Sequence, residues 1–121
     1  MTSQHKSLGR WGEDQAARYL EQQGFHIRER NFRFARGEID IIAEKDGVLV
    51  FVEVKTAAQS NLGDPVTWVD ERKQRQLATV AARYLQLHEI HDMDCRFDVI
   101  GVTRRGSRSQ IQHLENAFWL E

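Results

Sequence analysis

Two acidic residues and a lysine stand at spacings that could form a metal-dependent hydrolytic site. Asp40 lies in an Ile-rich segment, and Glu53 and Lys55 lie in the Val-rich segment that follows it. Asp46-Gly47, between the two segments, is a strong signal for a β-hairpin with a two-residue turn. Such a turn pairs residues whose numbers sum to 93, so the sequence predicts that Asp40 faces Glu53.

The same register sorts the residues of both strands, Ile39 to Glu44 and Val48 to Lys55, between two faces. One face is expected to be apolar, and the other to place Glu38 opposite Lys55. The predicted apolar pairs are Ile39 with Val54, Ile41 with Val52, and Ala43 with Val50. A slip of one residue would turn this apolar set to the wrong face, so the hydrophobic pattern specifies the register.

Placing two acids opposite each other is unfavourable, because directly opposed Cβ atoms lie about 4.5–5.5 Å apart and like charges at that distance repel. A divalent cation would offset the repulsion, since hard cations such as Mg²⁺ prefer carboxylate and carbonyl oxygens. Asp40, Glu53 and the carbonyl of Val54 are the predicted ligands. The alternative is a solvated surface charge cluster, which Ile42 and Phe51 make unfavourable because they render this face apolar.

The chemistry that this set favours is hydrolysis of a phosphodiester. A bound divalent cation lowers the pKa of a water molecule and stabilises charge on a phosphoryl oxygen. Lys55 shares the strand face of Glu53, so its ammonium group could orient the attacking water or neutralise the transition state.

The elements that must position these residues follow from hydrophobic periodicity and from turn signals. They predict an α/β (α+β) domain with a mixed sheet, in the order αβββαβ followed by a further strand. The predicted elements are a helix over Leu8–Gln23, a strand over Phe25–Phe34, the hairpin, a loop over Thr56–Pro65, a helix from a capping box at Thr67 and Asp70 to about His88, and strands over Arg96–Thr103 and Gln110–Glu115.

Length and composition limit the class of protein. With 121 residues and 40% hydrophobic content, the chain fits one ordinary globular domain spanning residues 1–121. Cys95 is the single cysteine, so no intramolecular disulfide can form and a reducing compartment is expected. The polar N-terminus and the lack of a long apolar run indicate a cytoplasmic protein without membrane attachment.

Charge is unevenly distributed along the chain. The formal net charge of −1 excludes a strongly basic DNA-coating protein, yet seven Lys or Arg accompany only four acids up to Gly37. Arginines cluster twice, and each cluster is either a phosphate-binding patch or a solvated strand edge. The clusters are Arg28, Arg30, Arg33 and Arg36, and Arg104, Arg105 and Arg108.

Two residues contradict the pattern of the helices that contain them. Glu13 flanks the apolar stripe of the first helix, and Lys73 points toward the core side of the second helix, near its N-terminus. Such inconsistencies occur at functional sites, although a half-exposed acid and a lysine stem covering apolar surface are equally ordinary. Gln76 lies beside Lys73 and is a weaker candidate of the same kind.

Other reactive residues have ordinary explanations. His88 and His91 have a spacing that can bind zinc, but they fall where the second helix ends, and histidine is favourable there without a metal. Cys95 has no histidine partner that would make it a nucleophile. Asp98 is expected to be a buried acid paired with an arginine. Three tryptophans are assigned to the core or to an interface: Trp11, Trp68 and Trp119.

The hairpin also carries a family resemblance. Gly37-Glu38-Ile39-Asp40, followed by Phe51-Val52-Glu53-Val54-Lys55, resembles the PD-(D/E)xK nuclease motif. The chain is similar over nearly its whole length to the bacterial YraN-like family, which is related to archaeal Holliday junction resolvases. The similarity begins at Gly9-Arg10-Trp11-Gly12-Glu13 and includes Arg96-Phe97-Asp98-Val99 and Asn116-Ala117-Phe118. Two departures are Ile39, in place of the proline of the motif's name, and Ala57, in place of a basic residue.

The resemblance implies a restriction-endonuclease-like core with a central mixed sheet flanked by helices, and dependence on Mg²⁺ or Mn²⁺. Asp40 and Glu53 would bind the metal, Glu13 would join them, and Lys55 would be the catalytic lysine. Possible supporting residues are Glu38, Lys73 and Gln76, and possible nucleic-acid contacts are Arg10, Arg33, Arg36 and Arg72.

Two functions are therefore expected as alternatives. The first is a metal-dependent endonuclease acting on DNA, including branched or junction DNA, which would act as a homodimer on a symmetrical substrate. The second is a nuclease-fold module that binds nucleic acid or a protein without cleavage. An enzyme for small phosphorylated substrates is disfavoured because the sequence has no Gly-rich phosphate loop.

Overall fold

A computed structural model describes residues 4–58, 63 and 67–118 of the chain. Its elements are α1 (Gln4–Gln22), β1 (His26–Phe34), β2 (Gly37–Lys45), β3 (Val48–Ala57), α2 (Glu71–Leu87), β4 (Asp94–Arg105) and β5 (Arg108–Phe118). The order confirms the predicted α/β class, in which two helices flank a five-stranded mixed sheet.

The strands lie in the sheet in chain order, β1-β2-β3-β4-β5. Neighbouring strands are antiparallel except β3 and β4, which are parallel and are connected through α2. A parallel pair needs a long crossover, and α2 supplies it. The β1–β2 and β4–β5 turns consequently lie at the end of the sheet where β3 finishes, which we call the active end, and the β2–β3 turn lies at the opposite end.

The β2–β3 hairpin has the predicted register over its first five pairs, from Lys45 with Val48 to Ile41 with Val52. Asp46 and Gly47 form the turn with φ values of 52° and 79°. Positive φ at both central residues is typical of the type I′ turn, whose twist matches that of the flanking strands. The Asp-Gly signal therefore predicted both the turn and the pairing.

Two hydrophobic cores lie on opposite faces of the sheet. On one face, α2 contributes Tyr84 and Leu77, which pack with Phe51 of β3. On the other face, α1 contributes Leu20, which packs with Val52 of β3. Because β3 is buried on both faces, its apolar residues run without the polar alternation of a half-exposed strand.

The predicted pairing was wrong at Ile39. Ile39 packs in the core beneath α2, whereas Ile41, two residues later, packs in the core beneath α1. Residues two positions apart share a face in a regular strand, so β2 is irregular between Ile39 and Ile41. The described pairing of β2 with β3 ends at Ile41, and β2 continues only against β1, where Asn31 has a φ of 55°. Such local irregularities redirect strands next to functional sites.

Several predicted boundaries also change. Asp70, not Thr67, is the N-cap of α2, because its side chain accepts a hydrogen bond from the backbone N–H of Lys73 at 2.8 Å. α1 begins four residues earlier than predicted, and β3, β4 and β5 extend beyond their predicted limits. Most of the predicted loop, together with Trp119, lies outside the described residues. None of the helices in the described part of the chain combines the length and apolar character of a membrane span.

Candidate active site

Asp40 and Glu53 come together at the point where β2 leaves β3. One carboxylate oxygen of Asp40 accepts a hydrogen bond of 2.7 Å from the backbone N–H of Val54. The described backbone pairing of β2 with β3 ends at Ile41 and Val52, next to Asp40 and Glu53. The hydrogen bond from Val54 to the side chain of Asp40 therefore continues the contact between the two strands. The carboxyl groups of Asp40 and Glu53 lie close enough for each to change the pKa of the other. The structure therefore places the two acids side by side.

The environment of the pair favours a proton on Asp40 when no cation is bound. Burial, assisted by the negative charge of Glu53, raises the pKa of Asp40 to about 8, against an opposing hydrogen bond from Val54. Burial also raises the pKa of Glu53, although the ammonium group of Lys73 lowers it. A divalent cation fits two neighbouring half-buried carboxyl groups. The cation would replace the proton and bind an oxygen of each carboxyl group.

Two lysines lie beside Glu53. Nζ of Lys73 is 3.4 Å from a carboxylate oxygen of Glu53, so α2 supplies an ion pair to the site. Lys55 is exposed, and its positive charge also lowers the pKa of Glu53. The sequence favoured Lys55 over Lys73, whereas the structure shows the closer contact for Lys73. The sequence signals for Lys73 were its position on the core side of the second helix and its location near the helix N-terminus, where a cation opposes the helix dipole.

Glu13 approaches the pair without joining it. Its carboxylate accepts a hydrogen bond of 3.0 Å from Asn31 and lies 3.5 Å from the guanidinium of Arg30, and its charge contributes to the raised pKa of Asp40. In the described residues, the ligand atoms of Glu13, Asp40 and Glu53 do not form a group within 4.8 Å. Glu13 also lines a surface cleft of about 560 Å³, together with Arg10.

Both helices pack closely against the two strands that carry Asp40 and Glu53. Gly12 of α1 lies against Thr56, and a Cβ atom at Gly12 would come within 2.8 Å of Cγ2 of Thr56. Gly37 likewise lies against α2, where an added Cβ would come within 2.6 Å of a methyl group of Val80. Gln76 donates a hydrogen bond of 3.0 Å to the carbonyl of Arg36, so α2 is also tied to the β1–β2 turn. Glycine at both positions lets the helices approach the strands that carry the acids.

The predicted facing of Glu38 and Lys55 was wrong. Glu38 is paired in register with Arg33 of β1, and its carboxylate accepts a hydrogen bond of 3.1 Å from the Arg33 guanidinium. The change follows from the departure of β2 from β3 before Glu38 is reached. The remaining predicted nucleic-acid contacts, Arg36 and Arg72, are exposed at the β1–β2 turn and in the first turn of α2.

A second polar cluster lies on the α1 side of the sheet. The carboxylate of Asp98 accepts hydrogen bonds from Arg96 (3.0 and 3.2 Å) and the backbone N–H of Asn116 (2.9 Å), and lies 2.7 Å from Nε2 of His113. This confirms the prediction that Asp98 is a buried acid paired with an arginine. The hydroxyl of Tyr19 lies 2.9 Å from Nδ1 of His113, so the cluster also connects α1 to β5.

Asp98, His113 and Glu115 also form a group that could hold a metal ion, because ligand atoms of all three lie within 4.8 Å of one another. Arg96 bridges Asp98 and Glu115, so a cation there would compete with an existing guanidinium. No sequence motif singles out this group, although the alternation of β5 could have placed His113 opposite the Asp98 segment of β4.

Asp98→Asn is expected to lower the free energy of unfolding by about 3 kcal/mol at neutral pH, because it breaks a buried charged pair. Burial would raise the pKa of Asp98, but the hydrogen bonds from His113, Asn116 and Arg96 outweigh it and hold the pKa below its usual value. A lowered pKa stabilises the fold above the unfolded-state pKa, and this contribution is lost as pH falls through the folded-state pKa. The difference between the two proteins in urea denaturation should therefore shrink in acid. Equal stabilities at neutral pH would contradict the assignment.

The zinc alternative gains no support from the described residues. His88 caps the C-terminal end of α2 and its ring lies 4.2 Å from that of Tyr84, while His91 is exposed in the following loop. Neither belongs to a described group of potential metal ligands. Trp68 is buried in the core beneath α2, as expected, and Trp11 lies beneath the guanidinium of Arg104 at 5.6 Å.

Residues 12–102 match the family described as "Uncharacterised protein family UPF0102". A "UPF0102 protein" of Syntrophotalea carbinolica is 47% identical over 118 residues, which is 98% of this chain and 96% of the relative. Relatives with the same description in Geobacter metallireducens and Myxococcus xanthus are 45% and 40% identical. They cover 99% and 96% of this chain, and the matches span 98% and 92% of the relatives.

Proposed function

This chain belongs to the UPF0102 family, and we propose that it is a Mg²⁺- or Mn²⁺-dependent endonuclease that hydrolyses phosphodiester bonds in DNA. The observation that carries the proposal is the proximity of the half-buried carboxyl groups of Asp40 and Glu53. Two neighbouring half-buried acids are destabilising in the free protein, and cation binding gives them a function. The resemblance to PD-(D/E)xK nucleases and Holliday junction resolvases lies on these same residues and supports the proposal.

Asp40, Glu53 and the carbonyl of Val54 would hold the cation, and Glu13 would join them. When bound, the cation supplies a water molecule of lowered pKa and stabilises negative charge on the phosphoryl group. The backbone N–H of Val54 holds one oxygen of Asp40 and thereby orients the carboxylate. Lys73 balances the charge of Glu53, which keeps that carboxylate ionised and available as a ligand.

Lys55 is the proposed catalytic lysine. It is exposed on the strand that carries Glu53, so a substrate phosphate at the site can reach its ammonium group. The ammonium group would orient the attacking water or neutralise charge that develops on the phosphoryl oxygens. Gln76 and Glu38 would support the site indirectly. Gln76 holds the β1–β2 turn, and Glu38 pairs with Arg33 beside that turn.

Branched or junction DNA is the proposed substrate, and a two-fold dimer in the cytoplasm would match its symmetry. The competing function is a nuclease-fold module that binds nucleic acid or a protein without cleavage. The proximity of Asp40 to Glu53 favours the enzyme, because a binding module gains nothing from two opposed half-buried acids.

The proposed function is tested with linear, flapped and four-way DNA incubated with Mg²⁺ or Mn²⁺. We expect the wild type to cut at least one substrate only when the cation is present. Lys55→Ala should cut about 10²- to 10³-fold more slowly, because a charge stabilising the transition state is lost. Lys45→Ala, a change of the same kind at the β2–β3 turn, serves as the control and should cut like the wild type. Identical trace activity in wild type and Lys55→Ala would indicate contamination and refute the enzyme.

A further inference from the structure

Basic residues gather at the turns of the active end, although the net charge of the protein is only −1. The active end carries basic residues at its turns and in β3, whereas the opposite end carries acids that accompany Arg28, Lys45 and Arg96. The basic residues are Arg33 and Arg36 near the β1–β2 turn, Lys55 in β3, and Arg104, Arg105 and Arg108 at the β4–β5 turn. The acids at the other end are Glu44, Asp46, Asp92, Asp94 and Glu115.

The topology places the acidic pair between the two arginine groups. β3 is the central strand of the sheet, so the β1–β2 turn lies on one side of Lys55 and the β4–β5 turn on the other. The turns are separated by three strand spacings, about 14 Å. That distance corresponds to about four base pairs of duplex, so one substrate crossing the active end can reach both turns.

Helix orientation adds positive potential at the same end. Gly12, in the first half of α1, lies against Thr56 near the end of β3, whereas the carbonyl of Gln23, just after α1, accepts a hydrogen bond from Lys45 at the opposite end. Gln76, near the start of α2, contacts the β1–β2 turn. The positive ends of both helix dipoles therefore point toward the active end, where they attract a polyanion.

The arginines of the β4–β5 turn have no acidic partner among the residues that the structure describes. By contrast, Arg30 and Arg33 each form a salt bridge with a carboxylate. Arg104, Arg105 and Arg108 are exposed at the tip of the turn, and Arg104 is supported by the ring of Trp11. A hydrogen bond of 3.1 Å between Ser109 and Gln15 braces the turn on α1.

We propose that Arg105 and Arg108, with Arg104 beside them, bind backbone phosphates of nucleic acid on the side of Lys55 opposite to Arg33 and Arg36. Arg104 and Arg105 end β4, which is an interior strand, so protection of a strand edge does not explain them. The contact would be independent of sequence, because phosphates carry no base information. The inference rests on the nucleic-acid binding of the proposed function and does not require cleavage.

The test measures binding of a fluorescent duplex of about 20 base pairs between about 50 and 200 mM salt, without divalent cations so that no cutting occurs. R105Q/R108Q should bind on the order of tenfold more weakly at about 0.1 M salt, with a salt slope reduced by about 1.8 because two phosphate contacts are lost. R18Q/K45Q removes the same charge at exposed or far-end positions, and it should bind like the wild type.

R105K/R108K distinguishes lost charge from altered folding, because it should restore most of the affinity and of the salt slope. The proposal is overturned if R105Q/R108Q binds like R18Q/K45Q, or if the lysine variant binds as weakly as the glutamine variant. If R105Q/R108Q alone binds weakly while the wild type cuts no DNA with Mn²⁺, the phosphate site stands and the nuclease function fails.

Discussion

Asp40→Asn is expected to abolish metal-dependent cleavage and, in the same preparation, to stabilise the metal-free protein at neutral pH. The carboxylate of Asp40 is a proposed cation ligand, so its loss should slow cleavage by at least about 10²-fold. The amide oxygen of asparagine can still accept the hydrogen bond from Val54, and the amide is neutral beside Glu53 without taking up a proton. Activity and stability should therefore change in opposite directions.

The sign of the stability effect follows from the raised pKa of Asp40. The folded protein retains a proton on Asp40 up to a pKa of about 8, whereas the unfolded chain releases it near 3.8. Between these values the folded state binds more protons, so its stability falls as pH rises. Asp40→Asn removes this titration, and we expect a gain of about 2 kcal/mol near neutral pH together with a flatter pH profile.

Thermal melts across pH, with a chelator or with Mn²⁺, provide the measurement. Mn²⁺ should raise the Tm of the wild type, and the increase should grow with pH because the cation replaces a proton. Asp40→Asn should show no such increase, whereas Asp98→Asn should retain it because the second cluster is separate. Asp46→Asn is the matched control at the β2–β3 turn. If Mn²⁺ still raises the Tm of Asp40→Asn but not that of Asp98→Asn, the metal binds at the second cluster and not at Asp40.

Gly12→Ala is expected to destabilise the protein by about 3 kcal/mol and to reduce activity with it. An added Cβ would come within 2.8 Å of Cγ2 and 2.9 Å of Cβ of Thr56, so α1 would have to move away from β3. Thr56 follows Lys55 directly, and Glu13 follows Gly12, so the same movement would displace both from Asp40. Urea denaturation and cleavage rate measure the two effects.

Gly9→Ala is the matched control in the same helix. No atom lies within 4 Å of a Cβ added at Gly9, so alanine should stabilise α1 by up to about 1 kcal/mol through its higher helix propensity. Thr56→Ala removes Oγ1 and Cγ2, the two atoms nearest to an added Cβ at Gly12, and should rescue part of the loss caused by Gly12→Ala, because Cβ of residue 56 remains. Strictly additive effects of Gly12→Ala and Thr56→Ala would show that their contact is not the cause.

The hairpin and the proximity of Asp40 to Glu53 were predictable from the sequence alone. Both follow from local information, because the Asp46-Gly47 turn sets the register and the alternation of apolar residues allows no slip. The order of helices and strands was also predictable, since it depends on periodicity within each segment. The family resemblance lies on these same local motifs.

How distant segments meet at the site depends on the packing of the helices against the sheet. Lys73 reaches Glu53 because α2 packs across the sheet, and Gly12 matters because α1 packs against Thr56. Ile39 changes face because β2 leaves β3 for β1, which a two-strand pattern cannot show. The grouping of charge at one end likewise depends on strand order and direction. These contacts join residues far apart in the chain, so side-chain packing decides them and local residue spacing does not.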